Sequence, residues 1–172
     1  MIILAMDTSG PCASVALMQD GVITHEETAR HGLTHSQTVL PMAERALECA
    51  GLQPKDVNLF ACAVGPGSFT GVRIGVTTVK ALAHSVGARC IGVDALEALA
   101  YGACGFNGTL APMFDARRSQ VYAAAFKGGA EFNRIGDDVA APLEEFVSTL
   151  PEGEVMFMGD GADANCARIL AL

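Results

Sequence analysis

The spacing of apolar and polar positions marks out most of the elements of this chain. Ile2 to Met6 is a short apolar run that ends at Asp7-Thr8-Ser9-Gly10-Pro11, a buried strand followed by a turn. Ala13 to Met18 predicts a second strand and Val22 to Thr28 a third. They are joined at Gln19-Asp20-Gly21, where Asp-Gly supplies the positive φ angles of a tight hairpin. Over Ser36 to Ala50, the residues Val39, Leu40, Ala43, Ala46, Leu47 and Ala50 recur at three- and four-residue spacing, which is one helical face, and Gly51 can end the helix. Val57 to Val64 reads as a central strand. A glycine-rich turn then leads to a helix over Thr70 to Val86, closed by Gly87. Arg89 to Val93 predicts a further strand and Asp94 to Tyr101 a third helix.

Three antiparallel strands followed by αβαβα is the ribonuclease-H-like order. Proteins of the actin/Hsp70/sugar-kinase (ASKHA) class use that unit twice. The second half begins the pattern again, with strands at Thr109 to Phe114, Gln120 to Phe126 and Ala130 to Ile135. A helix at Leu143 to Leu150, a strand at Glu154 to Met158 and a helix at Ala162 to Leu172 follow. The expected fold is α/β with two ribonuclease-H-like lobes, 1–104 and 105–172. The second lobe is expected to be incomplete, short of a final strand and helix.

Composition narrows the function. Apolar residues are 51% of the 172, enough for a real core, while aromatics are 6% and Trp is absent, so Ala, Val, Leu, Ile and Met must fill it. With 19 acidic and 11 basic side chains the formal charge is −8. Such a chain is a poor candidate to hold RNA or DNA unaided, because nucleic-acid binding draws on a basic surface, and an anionic membrane would repel it. Six scattered cysteines form no C-x-x-C pair, and several sit in apolar runs, so buried free thiols and a reducing compartment are expected. Neither a signal-peptide pattern nor a membrane-length apolar run is present in the sequence. The expected compartment is the cytoplasm.

Four segments carry candidate chemistry. The first is Gly65-Pro66-Gly67-Ser68-Phe69-Thr70-Gly71-Val72-Arg73-Ile74-Gly75, between a buried strand and a helix. It is neither a Walker A loop nor the Rossmann fingerprint. Gly65, Gly67 and Ser68 at a helix start could meet a phosphate, and Gly71 and Gly75, one turn apart, could let another helix approach closely. The second is Asp7-Thr8-Ser9 after the first strand, a phosphate and metal position in nucleotide-binding proteins of this fold or a self-capped turn. The third, His31-Gly32-Leu33-Thr34-His35, has metal-ligand spacing, but Gly32 and the lack of an intervening Glu argue against a metal site, and none is expected. The fourth is Asp115-Ala116-Arg117-Arg118-Ser119-Gln120 at a hairpin, suited to carboxylate or phosphate contacts or to a solvated turn. No nucleophile-elbow context or second hydrolytic acid is present.

Together these features resemble the TsaB (YeaZ) family. The resemblance rests on Leu4 to Ser9, His35-Ser36 with Val39-Leu40-Pro41, the Gly65 to Gly75 run with Lys80 to Ala83, Gly92 to Ala100, and Asp115 to Arg118 with Val121-Tyr122. It implies a non-catalytic partner of a homologous TsaD-type enzyme. With a TsaE-type ATPase, that pair moves a threonylcarbamoyl group onto an adenosine of tRNA. It further implies homodimers when the partner is absent, no tightly held cofactor, ATP or ADP only at the interface of the complex, and tRNA met indirectly. TsaD-type sequences hold a metal with His-x-x-x-His after the fifth strand. Ala95 and Leu99 stand at those positions here and cannot ligate.

The expected partner surface is the first two helices, through Leu40, Ala43, Leu47, Gly71, Val72, Gly75, Val76, Val79 and Ala83. The alternatives are a glycoprotease-like metallopeptidase, which the missing histidines oppose, and a small kinase or ATPase of the same fold. The latter would need Asp115 with Val121-Tyr122 as its second phosphate loop.

Overall fold

A computed structural model describes residues 1–30 and 34–172, so His31, Gly32 and Leu33, with the histidine pair they would complete, lie outside the described residues. The chain divides into two compact units, Met1–Val93 and Asp94–Leu172.

In the first unit, β1 (Ile2–Asp7), β2 (Ala13–Gln19) and β3 (Val22–Ala29) form the antiparallel meander. β4 (Leu59–Ala63) and β5 (Arg89–Val93) extend it in parallel, giving the order β3-β2-β1-β4-β5. This is the ribonuclease-H-like order. α1 (His35–Cys49) and α2 (Phe69–Val86) close one face. Alternation along the strands sends Leu4, Met6, Val15, Leu17, Phe60 and Cys62 to that face, where Val39, Met42, Ala46 and Val79 meet them. The β2–β3 hairpin turns on Asp20 and Gly21 at φ 49° and 85°, as Asp-Gly predicts. The strand expected from Val57 begins at Leu59, because Pro54–Asp56 forms a 3₁₀ turn that carries Val57 into the core from outside the sheet.

The second unit holds α3 (Ala95–Tyr101), β6 (Thr109–Arg117), β7 (Gln120–Lys127), β8 (Asn133–Pro142), α4 (Leu143–Ser148), β9 (Val155–Met158) and α5 (Asp160–Ile169). Its sheet order, β8-β7-β6-β9, repeats the first four positions of the other sheet. The core forms around Met113, Val121, Ala123, Leu143 and Phe146.

Two expectations differ here. The lobe boundary falls before α3 and not after it, since α3 packs on β6 and β7. Arg134 of β8 draws α3 in by pairing with Asp94 at 3.2 Å and Glu97 at 3.3 Å. The third strand runs over Asn133–Pro142 and not Ala130 to Ile135. Gly136-Asp137-Asp138 has the composition of a turn, but Gly136 takes φ 77°, and a register shift between Ala123 and Ala125 of β7 lets the pairing continue past it.

The thiols also differ from expectation. Only Cys62 is buried, and burial raises its pKa; Cys12 and Cys104 are half-buried, while Cys49, Cys90 and Cys166 are exposed. Among the described residues no helix is long and apolar enough to cross a membrane.

Candidate functional site

The first two of the segments singled out above meet in the first unit. The Ser68 N–H donates to the Ser9 carbonyl at 2.7 Å, and the Thr8 hydroxyl donates to the Gly71 carbonyl at 2.7 Å. The Ser9 N–H donates to Asp7 Oδ1 at 2.7 Å, and the Ser68 hydroxyl caps α2 by accepting the Gly71 N–H at 3.3 Å. Asp7, Thr8, Ser9, Gly67 and Ser68 therefore form one joint, with Gly65 leading into it at φ 101°.

This joint explains the glycines. A Cβ at Gly67 would lie 2.5 Å from the Ser9 carbonyl oxygen, one at Gly71 2.0 Å from that of Thr8, and one at Gly75 2.6 Å from Thr8 Oγ1. The small-residue strip of α2 faces the end of β1 in its own chain.

As folded, the joint does not fit a phosphate by itself. The Thr8 hydroxyl is committed to Gly71, and Asp7 places a carboxylate where a phosphate would meet like charge. The Ser9 hydroxyl is buried and has no partner among the described residues.

The nine expected partner-surface residues divide. Ala43, Leu47, Val79 and Ala83 are buried in the core, and Gly71 and Gly75 are buried against Thr8, so these six cannot form an outward face. Val72 and Val76 are half-buried, and Leu40 is 41% exposed. The outward stripe of α2 lies on the opposite side, at Phe69, Arg73, Thr77, Lys80 and His84. Phe69 is 76% exposed, with the Arg73 guanidinium 5.2 Å from its ring centre. A shallow groove of about 450 Å³ runs between α1 and α2, lined by Leu40, Thr70, Arg73, Ile74, Thr77 and Thr78. Phase carried the signal for this: polar Arg73, Thr77, Lys80 and His84 share one helical stripe, which belongs in water.

Of the third motif, only Thr34 and His35 lie among the described residues. His35 Nε2 lies 2.9 Å from the Gly10 carbonyl, and no group of three or more His, Cys, Asp or Glu side chains suited to a metal occurs among the described residues. Asp115 lies at the β6–β7 hairpin, where its Oδ1 accepts the Arg117 N–H at 2.8 Å. Asp160, the first residue of α5, has its pKa raised by burial, with Asp115 and Asp163 nearby.

Comparison with known proteins places this architecture. The family model described as TsaD, tRNA N6-adenosine threonylcarbamoyltransferase, matches residues 16–157. The tRNA threonylcarbamoyladenosine biosynthesis protein TsaB of Bacillus subtilis is 36% identical over 163 residues, covering 92% of this chain and 71% of that protein. The chain belongs to the TsaB (YeaZ) family. The TsaB of Escherichia coli is 40% identical over 147 residues, 84% of this chain and 63% of its own length. Among solved structures, YeaZ from Pseudomonas aeruginosa superposes with a TM-score of 0.86 at 29% identity, over 97% of this chain and 79% of that one. In this TsaB-family chain, Ala95 is buried in α3 and Leu99 is half-buried, so both fill space in the second unit.

Proposed function

We propose that this protein is a non-catalytic subunit of a tRNA N6-threonylcarbamoyladenosine-modifying complex, and that it docks and supports a TsaD-type homologue. The observation that carries the reading is the 36–40% identity to proteins named TsaB over most of the chain. Three features of the chain support it. Ala95 and Leu99 supply no metal ligand. The Asp7–Ser68 joint commits the Thr8 and Ser68 hydroxyls and one Asp7 carboxylate oxygen to the fold. The α1–α2 face offers Leu40, Phe69, Arg73 and Ile74 around an open groove.

That face is the docking surface. A stable interface of this kind buries on the order of 1,200–2,000 Å² in total, with aromatic and Arg side chains as anchors and a polar rim. Phe69 and Arg73 have the anchor chemistry, and Thr77, Lys80 and Glu44 can form the rim. A second copy of this chain uses the same face when the partner is absent, so homodimer and heterodimer compete. The TsaE-type ATPase joins the pair, any ATP or ADP binds at the interface of the complex, and the compartment is the cytoplasm.

Genetic replacement tests the function. In a bacterium depleted of its own TsaB, this protein restores threonylcarbamoyladenosine in tRNA, read by mass spectrometry of digested nucleosides. A chain that is expressed and binds the host TsaD but restores none overturns the proposal.

A further inference from the structure

Two hairpins of this protein close on the same turn with opposite chemistry. β2–β3 closes between paired Gln19 and Val22 on Asp20-Gly21, at φ 49° and 85°. β6–β7 closes between paired Arg117 and Gln120 on Arg118-Ser119, at φ 51° and 62°. A two-residue turn with both central φ angles positive favours Asn, Asp or Gly, whose backbones tolerate that region. Arg117 adds a third left-handed residue at φ 64°, where the register shifts after Asp115. Three consecutive residues with a Cβ thus hold a conformation that costs stability at each, and strain of this kind collects where side chains serve a function.

The side chains it presents are of one kind. Arg117, Arg118, Ser119 and Gln120 are all exposed hydrogen-bond donors, with no apolar residue exposed among them. Among the described residues neither guanidinium has a carboxylate partner, a state they share with Arg30, Arg73 and Arg89, so both are free to meet a ligand. Asp115 is turned back to hold the Arg117 N–H and so fixes the loop. A protein partner would call for an apolar centre, which the tip lacks. A nucleic-acid backbone calls for Arg forks and Ser or Gln hydroxyl and amide donors directed at phosphates, which the tip has.

We infer that the β6–β7 hairpin tip, through Arg117 and Arg118, contacts the phosphate backbone of the RNA on which the complex acts. This rests on the reading under Proposed function. The chain's charge of −8 makes the tip an accessory contact that works with a partner holding the rest of the RNA.

The test uses the full chain assembled with its TsaD-type homologue and a labelled anticodon stem-loop, followed by anisotropy across a salt series. For the double variant R117Q/R118Q the slope of log K against log salt should fall by about 1.5, with binding roughly tenfold weaker near physiological salt. The variant R118N/S119G, which suits the turn, should raise Tm by roughly 2–4 °C while weakening RNA binding. A slope unchanged in R117Q/R118Q, or no rise in Tm for R118N/S119G, overturns the inference alone. So does loss of the partner enzyme from R117Q/R118Q, which would make the tip a protein contact. If the wild-type complex assembles and binds no RNA, the functional reading fails together with it.

Discussion

The Thr8 hydroxyl is held 2.7 Å from the Gly71 carbonyl, and the same oxygen lies 2.6 Å from where a Cβ on Gly75 would stand. One threonine thus sets the closest approach of α2 to the end of β1. Gly75→Ala should destabilise the fold by about 1–3 kcal/mol through overpacking. Thr8→Ala should cost about 1 kcal/mol for the lost hydrogen bond and should also remove the obstacle. In a double-mutant cycle by urea unfolding, the pair should therefore cost less than the sum of its parts. Simple additivity would show that Gly75 is not constrained by Thr8.

Arg134 joins α3 to β8 by pairing with Asp94, Glu97 and Asp138 while lying 4.7 Å above the Phe126 ring centre. Arg134→Gln leaves three carboxylates close together and should cost about 1–2 kcal/mol, discounted for partial exposure. The loss should shrink in acid as the carboxylates are neutralised. A loss that stays the same from neutral pH into acid would remove electrostatics as its cause.

Asp160 has one carboxylate oxygen buried without a partner among the described residues, and burial raises its pKa. The folded chain then holds that proton more tightly than the unfolded chain. The stabilisation this gives is complete below the ordinary carboxylate pKa and is lost as pH rises through the raised folded value. Asp160→Asn should therefore be more stable than the wild type at neutral pH, with the advantage fading in acid. Denaturation midpoints across that range check this, and an Asn variant less stable at neutral pH would contradict it.

Much of this fold was legible because local signals and tertiary packing agree. The Asp20-Gly21 hairpin, the apolar face of α1, and the second β-β-β-α-β-α series all follow from turn chemistry and spacing. The misreadings came where long-range contacts decide. Gly71 and Gly75 read as a contact strip, which they are, but the segment they admit is Thr8, 63 residues from Gly71 in sequence. The third strand of the second half is expected to end at Ile135, yet pairing with β7 carries it on to Pro142. α3 follows β5 in sequence, but Arg134 and the sheet of the second unit claim it. The motif positions at Asp7 to Ser9 and Gly65 to Ser68 were visible in advance, while their mutual hydrogen bonding was not. The exposed stripe at Phe69 and Arg73 follows from helical phase, and Gly71 and Gly75 lie on the other side of the helix.

The central claim is that this protein acts through the outward face of α1 and α2. Analytical ultracentrifugation of the chain with its TsaD-type homologue tests it most directly, comparing the wild type with L40D/R73E. Both substitutions lie on exposed positions, so the variant should keep the wild-type Tm. The account predicts a heterodimer for the wild type, at least a hundredfold weaker association for the variant, and a parallel loss of homodimer, since anchor residues of this kind dominate interfaces. A wild type that fails to bind the homologue, or a variant that binds it as tightly as the wild type, would contradict the account.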